Sequence, residues 1–174
     1  MDQRSLILLG LLMSESQHGY QLNEFIEKNL NFITNMKKPT AYATLDKLCS
    51  SGFVEVKLNQ EGNRPPRKVY TINDRGKQLF YDLLLKNLSS AENVYYDGDI
   101  GLMFIDYLPI DQSIAALEMR VNQCNLLLAE LIHTPKHEGI GVNIAIQHKQ
   151  VMLKREISFL QETVQKLQSQ IEKD

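Results

Sequence analysis

The amino-acid sequence predicts a mainly α-helical protein of the α+β class, organised in two parts. Three observations predict it. The 174-residue composition, 43% hydrophobic and 23% charged, is typical of a folded protein. Two short runs that alternate apolar and polar residues lie among helical patterns in the first half of the chain. The second half repeats its apolar residues at coiled-coil spacing. We place the domains at 1–88 and 89–174.

The first half begins with three predicted helices. Residues 3–14 are apolar nearly all round, which predicts a buried helix. After a polar break at 14–17, a second helix of about 18–30 has an apolar face made of Tyr20, Leu22, Phe25, Ile26 and Leu30. A third helix of about 40–51 begins after Pro39 and ends before Gly52. Its inner face consists of Ala41, Leu45 and Leu48.

A β-hairpin follows the third helix. Residues 53–58 and 68–72 alternate as strands do, and a segment rich in Gly, Pro and basic residues joins them. Asn73 then offers an N-cap for a helix of about 74–88. Three helices and a two-stranded hairpin are the order of a winged helix-turn-helix. In that fold the helix of 40–51 enters the DNA major groove, and the hairpin, or wing, reaches the backbone.

The charge distribution favours a DNA-facing first half. The formal charge of −2 hides 12 basic and 9 acidic residues in 1–88, against 7 and 12 in the remainder. Residues 37–77 alone carry 9 basic and 4 acidic residues, a net of +5. A basic module can therefore bind DNA although the whole chain is slightly acidic. We expect the acidic half to lie on the side away from a duplex.

The second half predicts an antiparallel helical hairpin. One seam consists of Ile114, Leu117, Val121, Cys124, Leu128 and Leu131. The other consists of Ile146, Leu153, Leu160 and Leu167, with Ile157, Val164 and Ile171 four positions after the last three. The short connection at 134–141 favours the antiparallel arrangement. Residues 89–112 are a broken helix or a linker.

We expect the second half to form a homodimer. Val151, Met152 and Phe159 lie outside the seam, so a two-helix hairpin would leave them in water, and a second copy of the chain would cover them. The dimerisation residues are assigned as Ile146, Leu153, Ile157, Phe159, Leu160, Val164 and Leu167.

The motifs of the first half resemble one protein family. "HGYQL" at 18–22, "TAYATLDKLCSSGFVE" at 40–55 and "RPPRKVYTINDRG" at 64–76 are similar to the PadR-like (phenolic-acid-decarboxylase-regulator) transcriptional regulators. The helical C-terminal half is similar in kind to the longer, virulence-activator-like subfamily. The resemblance implies a cytoplasmic, homodimeric winged-helix regulator, usually a repressor and often released by a small molecule. Pro39 and Ala41 depart from the family's pattern. The chain has no Trp, so the tryptophan-lined drug pocket of some short members is not expected.

Nine side chains are candidates for contact with double-stranded DNA. Polar residues on or beside the outer side of the third helix would read bases or contact phosphates, and the basic residues before it and in the wing would contact backbone. They are Lys37, Lys38, Thr40, Tyr42, Thr44, Lys47, Arg64, Arg67 and Lys68. The alternatives are a solvated helix face, a solvated charge cluster and, for Tyr42, packing against the second helix.

Other residues allow two interpretations. The aromatic cluster Tyr95, Tyr96, Phe104 and Tyr107 either lines a pocket for a small aromatic or hydrophobic effector or packs at an interface. Cys49 is either a redox switch or an inert packed thiol. His133, His137 and His148 straddle a loop at spacings that do not favour a metal site.

Several function classes are not expected. The sequence contains no phosphate-binding loop, nucleophile elbow or paired-carboxylate signature, so we expect neither an enzyme nor a cofactor. The apolar stretch Leu6–Met13 is too short to span a bilayer and lacks a signal-peptide cleavage site. We therefore expect no membrane association and a cytoplasmic location. The alternative function is a winged-helix protein-interaction module without sequence-specific DNA binding.

Overall fold

A computed structural model describes residues 3–13, 17–18, 36–60, 66–91, 95–136 and 139–171. The predicted second helix, except for its first residue, lies outside these ranges. The chain divides into two compact units, residues 1–92 and 93–174. Elements are numbered below along the described residues, and each unit is described by itself.

The first unit is built on α1 (Gln3–Leu12), which packs against α2 (Lys38–Ser50), α3 (Asp74–Ser89) and the sheet. Helix α1 is apolar on several sides because it has several neighbours, as the sequence predicts. The buried core of the unit consists of Leu8, Leu9, Leu12, Met36, Ala41, Leu45, Leu48, Val54, Tyr70 and Ile72. This core fixes α2 by its inner side and leaves the opposite side exposed.

The sheet of this unit has three strands in the order β1-β3-β2: β1 (Gln17–His18), β2 (Val54–Asn59) and β3 (Arg67–Ile72). Strands β2 and β3 pair antiparallel from Val54 opposite Ile72 to Asn59 opposite Arg67, which confirms the predicted hairpin.

Strand β1 corrects the prediction that residue 18 begins a helix. Gln17 and His18 pair with Tyr70 and Val69 on the other edge of β3. Backbone N–H and C=O groups on that edge need partners, and a two-residue extended segment supplies them. So short a strand has no periodicity of its own from which it could be predicted.

Two residues fix the turn from α2 into the hairpin. Gly52 has a φ of +73°, and its N–H donates to Cys49 O while the N–H of Phe53 donates to Leu48 O. This pair of bonds is a Schellman motif, which confirms Gly52 as the residue that ends the helix. Asn73 caps α3 by accepting a hydrogen bond from Gly76 N at 3.0 Å. Its amide also donates to Gly52 O at 3.0 Å, which ties the two helix ends together.

The second unit contains α4 (Asp97–Met103), a 3₁₀ turn (Ile105–Tyr107), α5 (Ile110–His133) and α6 (Ile140–Ile171). The described residues of the ambiguous segment 89–112 thus contain the end of α3, one short helix, one 3₁₀ turn and the start of α5. Helices α5 and α6 form the predicted antiparallel hairpin. Arg120 pairs with Glu156, and further along α5 the Leu131 carbonyl accepts a bond from Gln150, which comes earlier on α6.

The hairpin core contains most of the residues that are assigned to dimerisation from the sequence. Ile146, Ile157, Leu160 and Val164 are buried, and the last three form a cluster with Leu117, Val121 and Cys124 of the same chain. Leu153 and Leu167 pack against the edge of this cluster. Their apolar surface is therefore used within one chain. Of the seven assigned residues only Phe159, 50% exposed, has a largely open side chain.

Candidate nucleic-acid interface

The inner side of α2 packs in the core, and its outer side is exposed. Ala41, Leu45 and Leu48 are buried, and they recur at spacings of four and three. The exposed positions between them include Tyr42, Ala43, Asp46, Lys47 and Ser50. Because the inner side of α2 is anchored in the core, its polar outer side is exposed in a fixed orientation.

The N-terminus of α2 carries positive charge. Lys37 is its N-cap residue, in extended conformation and without a side-chain capping bond, and Pro39 stands in the first turn. The first turn contains no acidic residue, and Lys37 and Lys38 are both exposed. Backbone N–H groups at a helix start carry a partial positive charge, which these ammonium groups reinforce. This end of α2 is suited to contact a phosphate.

Thr40 and Thr44 lie at the margin of the exposed surface, and both are half-buried. The Thr44 hydroxyl donates to Thr40 O at 2.8 Å, inside the helix. That bond uses the only hydroxyl proton of Thr44, so its oxygen is left as an acceptor. Tyr42 lies on the outer side and is 37% exposed.

The base of the wing lies beside α2. Lys68 is exposed, and its ammonium group is 3.4 Å from a carboxylate oxygen of Asp46. Tyr70, two residues further on the same side of β3, is buried in the core. Arg67 pairs with Asn59 in the ladder, while Arg64 lies outside the described residues. The structure thus brings Lys68 close to the surface of α2 that also carries Lys47.

Asp46 belongs to this surface but is not among the residues predicted from the sequence. It is the only acidic residue of α2, four positions after Tyr42 on the same exposed stripe. The helical spacing alone would have placed it there. Its pairing with Lys68, 22 residues away, depends on how the hairpin folds back.

Two ionisable groups lie beneath this surface. Burial raises the pKa of the Cys49 thiol, and Asp46 raises it further while Lys68 opposes the rise. A raised thiol pKa favours an inert, packed Cys49 over a reactive one. Burial also raises the pKa of Tyr70 to about 12, with added contributions from Asp46, Cys49 and Tyr42.

The four aromatic residues proposed for an effector are all exposed in the second unit. Tyr95 and Tyr107 are 88% and 85% exposed, and Tyr96 and Phe104 about half. Phe104 and Tyr107 contact each other with their ring centroids 6.1 Å apart. The described residues of the second unit do not enclose them, so any pocket that they line needs a further surface.

The described residues show neither a metal site nor a membrane span. Within these ranges no three His, Cys, Asp or Glu side chains come together as metal ligands would, and His137 lies outside them. Among the helices of the described residues, none combines the length and apolar character that spanning a bilayer requires.

Comparison with known proteins finds a family match within the first unit. Residues 8–82 match the family described as "Transcriptional regulator PadR-like family". The negative transcriptional regulator PadR of Bacillus subtilis is 29% identical over 101 residues, which span 58% of this chain and 56% of the relative. The match to this curated relative thus covers little more than half its length.

Solved structures share the fold over nearly the whole chain. Bacillus subtilis PadR in complex with operator DNA has a TM-score of 0.83 at 20% identity, covering 96% of this chain and 98% of its own. The same protein in complex with p-coumaric acid has a TM-score of 0.76 at 19% identity, covering 97% and 98%. The Vibrio cholerae virulence activator AphA has a TM-score of 0.76 at 13% identity, covering 97% and 99%. At these identities the likeness establishes the winged-helix fold with a helical C-terminal region.

Proposed function

Because residues 8–82 match the PadR-like family of transcriptional regulators, we propose that the chain is a member of this family and acts as a homodimeric, cytoplasmic repressor that binds a palindromic operator. Each protomer inserts α2 into a major groove, and its wing contacts the adjacent backbone. Two-fold symmetry of the dimer requires half-sites separated by about 34–36 Å or a multiple of that distance.

One observation carries the proposal: the polar, lysine-bearing side of α2 and Lys68 of β3 are exposed side by side. The contact between Lys68 and Asp46 joins the helix to the wing at this surface. The DNA-contacting set is Lys37, Lys38, Thr40, Tyr42, Thr44, Lys47, Arg64, Arg67 and Lys68. Phosphate contacts by the basic members fix the position of the helix, and Tyr42 and the threonines lie where they can reach base edges or sugars.

A small aromatic or hydrophobic effector would release the operator by changing the packing of the dimer. Two observations support this step. Phe104 and Tyr107 form an exposed aromatic contact near the start of the helical hairpin, and the Bacillus subtilis PadR structure was solved with p-coumaric acid. An effector acts only through different affinities for the DNA-binding and released states.

The salt dependence of duplex binding tests the function. The wild-type protein should bind labelled duplex DNA at low salt and lose affinity steeply as salt rises. Lys47→Ala should reduce the slope of log K against log salt by about 0.9 for each phosphate that is no longer neutralised, which is close to 2 for a dimer.

Lys77→Ala is the matched control, since Lys77 is an exposed lysine of α3 that pairs with Asp74 at 3.1 Å, outside α2 and the wing. It should leave the slope unchanged. Absence of duplex binding by the wild-type protein at low salt would refute the proposal and favour the protein-interaction module.

A further inference from the structure

An ion pair between Asp46 and Lys68 lies on the surface proposed to bind DNA. It connects the exposed side of α2 with β3 at 3.4 Å, and both side chains are more than half exposed, at 62% and 53%. Exposed pairs of this kind contribute little to folding stability. The fold therefore does not require the carboxylate, and Asp46 can be changed without losing the structure.

A carboxylate at this position opposes contact with phosphates. It lies one residue before Lys47 on α2 and beside Lys68, so its negative charge acts on two of the cations that would meet the duplex. Lys68 can bind a phosphate only by leaving Asp46 or sharing its ammonium group with it. This competition between Asp46 and phosphate for Lys68 weakens backbone binding to a duplex of any sequence.

The same carboxylate gains an interaction only from certain bases. An ionised carboxylate accepts hydrogen bonds and donates none. In the major groove, cytosine and adenine both present an amino donor, but adenine's lies beside the N7 acceptor, which repels a carboxylate, so cytosine is the partner that Asp favours. A duplex that presents such a donor beside α2 compensates for the weakened phosphate binding, and other duplexes do not.

Resting on the DNA-binding function proposed above, we propose that Asp46 is a specificity-determining residue. It lowers affinity for the DNA backbone by holding Lys68, and it recovers this affinity only where the groove presents a hydrogen-bond donor such as the cytosine amino group. Asp46 thus favours the operator by weakening competition from other DNA.

The test compares Asp46→Asn with Asp74→Asn, which neutralises the acid of the second exposed pair, Asp74 with Lys77, on α3. The probes are the best duplex that the full-length wild-type protein selects from a random pool and a scrambled duplex of the same composition. Dissociation constants are measured across a salt series. Unfolding by urea, expected to be the same in all three proteins, confirms that they fold.

Asp46→Asn should bind the scrambled duplex about 5- to 10-fold more tightly for each protomer in contact with DNA at 0.1 M salt, the effect of neutralising one more phosphate per protomer. Its affinity for the selected duplex should change by less than about two-fold, so the ratio of the two affinities should fall at least about three-fold. Repeating the selection with Asp46→Asn should weaken a cytosine preference, because the uncharged amide still accepts from cytosine but can also donate to acceptors on other bases. In a Lys68→Ala background the tighter binding of the scrambled duplex should largely disappear.

The outcomes separate the two proposals. If the wild-type protein binds neither duplex, the DNA-binding function itself is wrong. If it binds both with steep salt dependence, but Asp46→Asn keeps the affinity ratio of Asp74→Asn, only the role of Asp46 is overturned. An equal increase in affinity for both duplexes would also overturn it, since the carboxylate would then contribute no discrimination.

Discussion

At the residue scale, the candidate interface exists because one side of α2 packs in the core and the other side is exposed. Ala41, Leu45 and Leu48 are buried in the core. The exposed residues between them are not constrained by core packing, so they can be suited to binding instead. Spacing alone was sufficient to separate these two sets. It could not predict the contact between Asp46 and Lys68, because that contact forms only after the hairpin brings β3 back beside α2.

Tyr70 provides a prediction about pH. Its hydroxyl is buried, with no hydrogen-bond partner among the described residues, and burial raises its pKa to about 12. The unfolded chain releases this proton near pH 10, whereas the folded chain keeps it until about 12. The resulting stability is complete below pH 10 and is lost as pH rises from about 10 to 12.

Urea unfolding at about pH 9 and about pH 11 measures this decrease. The wild-type protein should lose more unfolding free energy across the interval than Tyr70→Phe, which keeps the ring and removes the ionisable group. Equal decreases in the two proteins would show that Tyr70 ionises in the folded state as it does in the unfolded chain.

At the element scale, the strongest sequence signals came from helix ends and strand alternation. Gly52 and Asn73 were predicted as helix-terminating and helix-capping residues, and both roles are confirmed by their hydrogen bonds. Strand β1 could not be predicted from the sequence, because its two residues form a strand only by pairing with the edge of β3 opposite β2. The seam of α6 was recognised, but periodicity identifies a buried face without saying whether the same chain or another chain buries it.

Gly76 tests how tightly α3 is attached to the rest of its unit. A Cβ at this position would collide with the carbonyl oxygen of Phe53, a backbone atom that cannot rotate away. Gly76→Ala should therefore lower the unfolding free energy by about 1–3 kcal/mol, the usual cost of overpacking. Thermal unfolding followed by circular dichroism would measure it.

Gly101→Ala is the matched control, because a Cβ added to Gly101 in α4 would meet no atom of the described residues within 4 Å. It should be neutral or stabilise the protein by up to about 1 kcal/mol through higher helix propensity. The account of α3 would be wrong if both substitutions had the same small effect.

At the scale of the whole molecule, the sequence predicts both the division of charge and the uncovered apolar strip of α6 at Val151, Met152 and Phe159. The α6 seam is used inside the hairpin, so in the proposed dimer the second copy would cover other residues. Ile144, Val151, Met152 and Phe159 are each at least 40% exposed and recur on α6 away from the seam. We expect this strip to contribute to the dimer.

Phe159→Lys should therefore shift the protein from dimer to monomer in sedimentation velocity at micromolar concentration, because a charge would be buried at the interface. Gln161→Lys adds the same charge at an exposed position nearby on α6 and should remain dimeric. A fully dimeric Phe159→Lys protein would place the dimer contact elsewhere.

The central claim, that a dimer presents two copies of α2 to DNA, is tested most directly by selecting bound duplexes from a random pool and sequencing them. The account predicts an inverted repeat whose half-sites lie about 10–10.5 base pairs apart, centre to centre, or a multiple of that spacing. It also predicts that Lys47→Ala enriches the same sequence more weakly. A pool that shows no enrichment, or enrichment of a single half-site without symmetry, would contradict it.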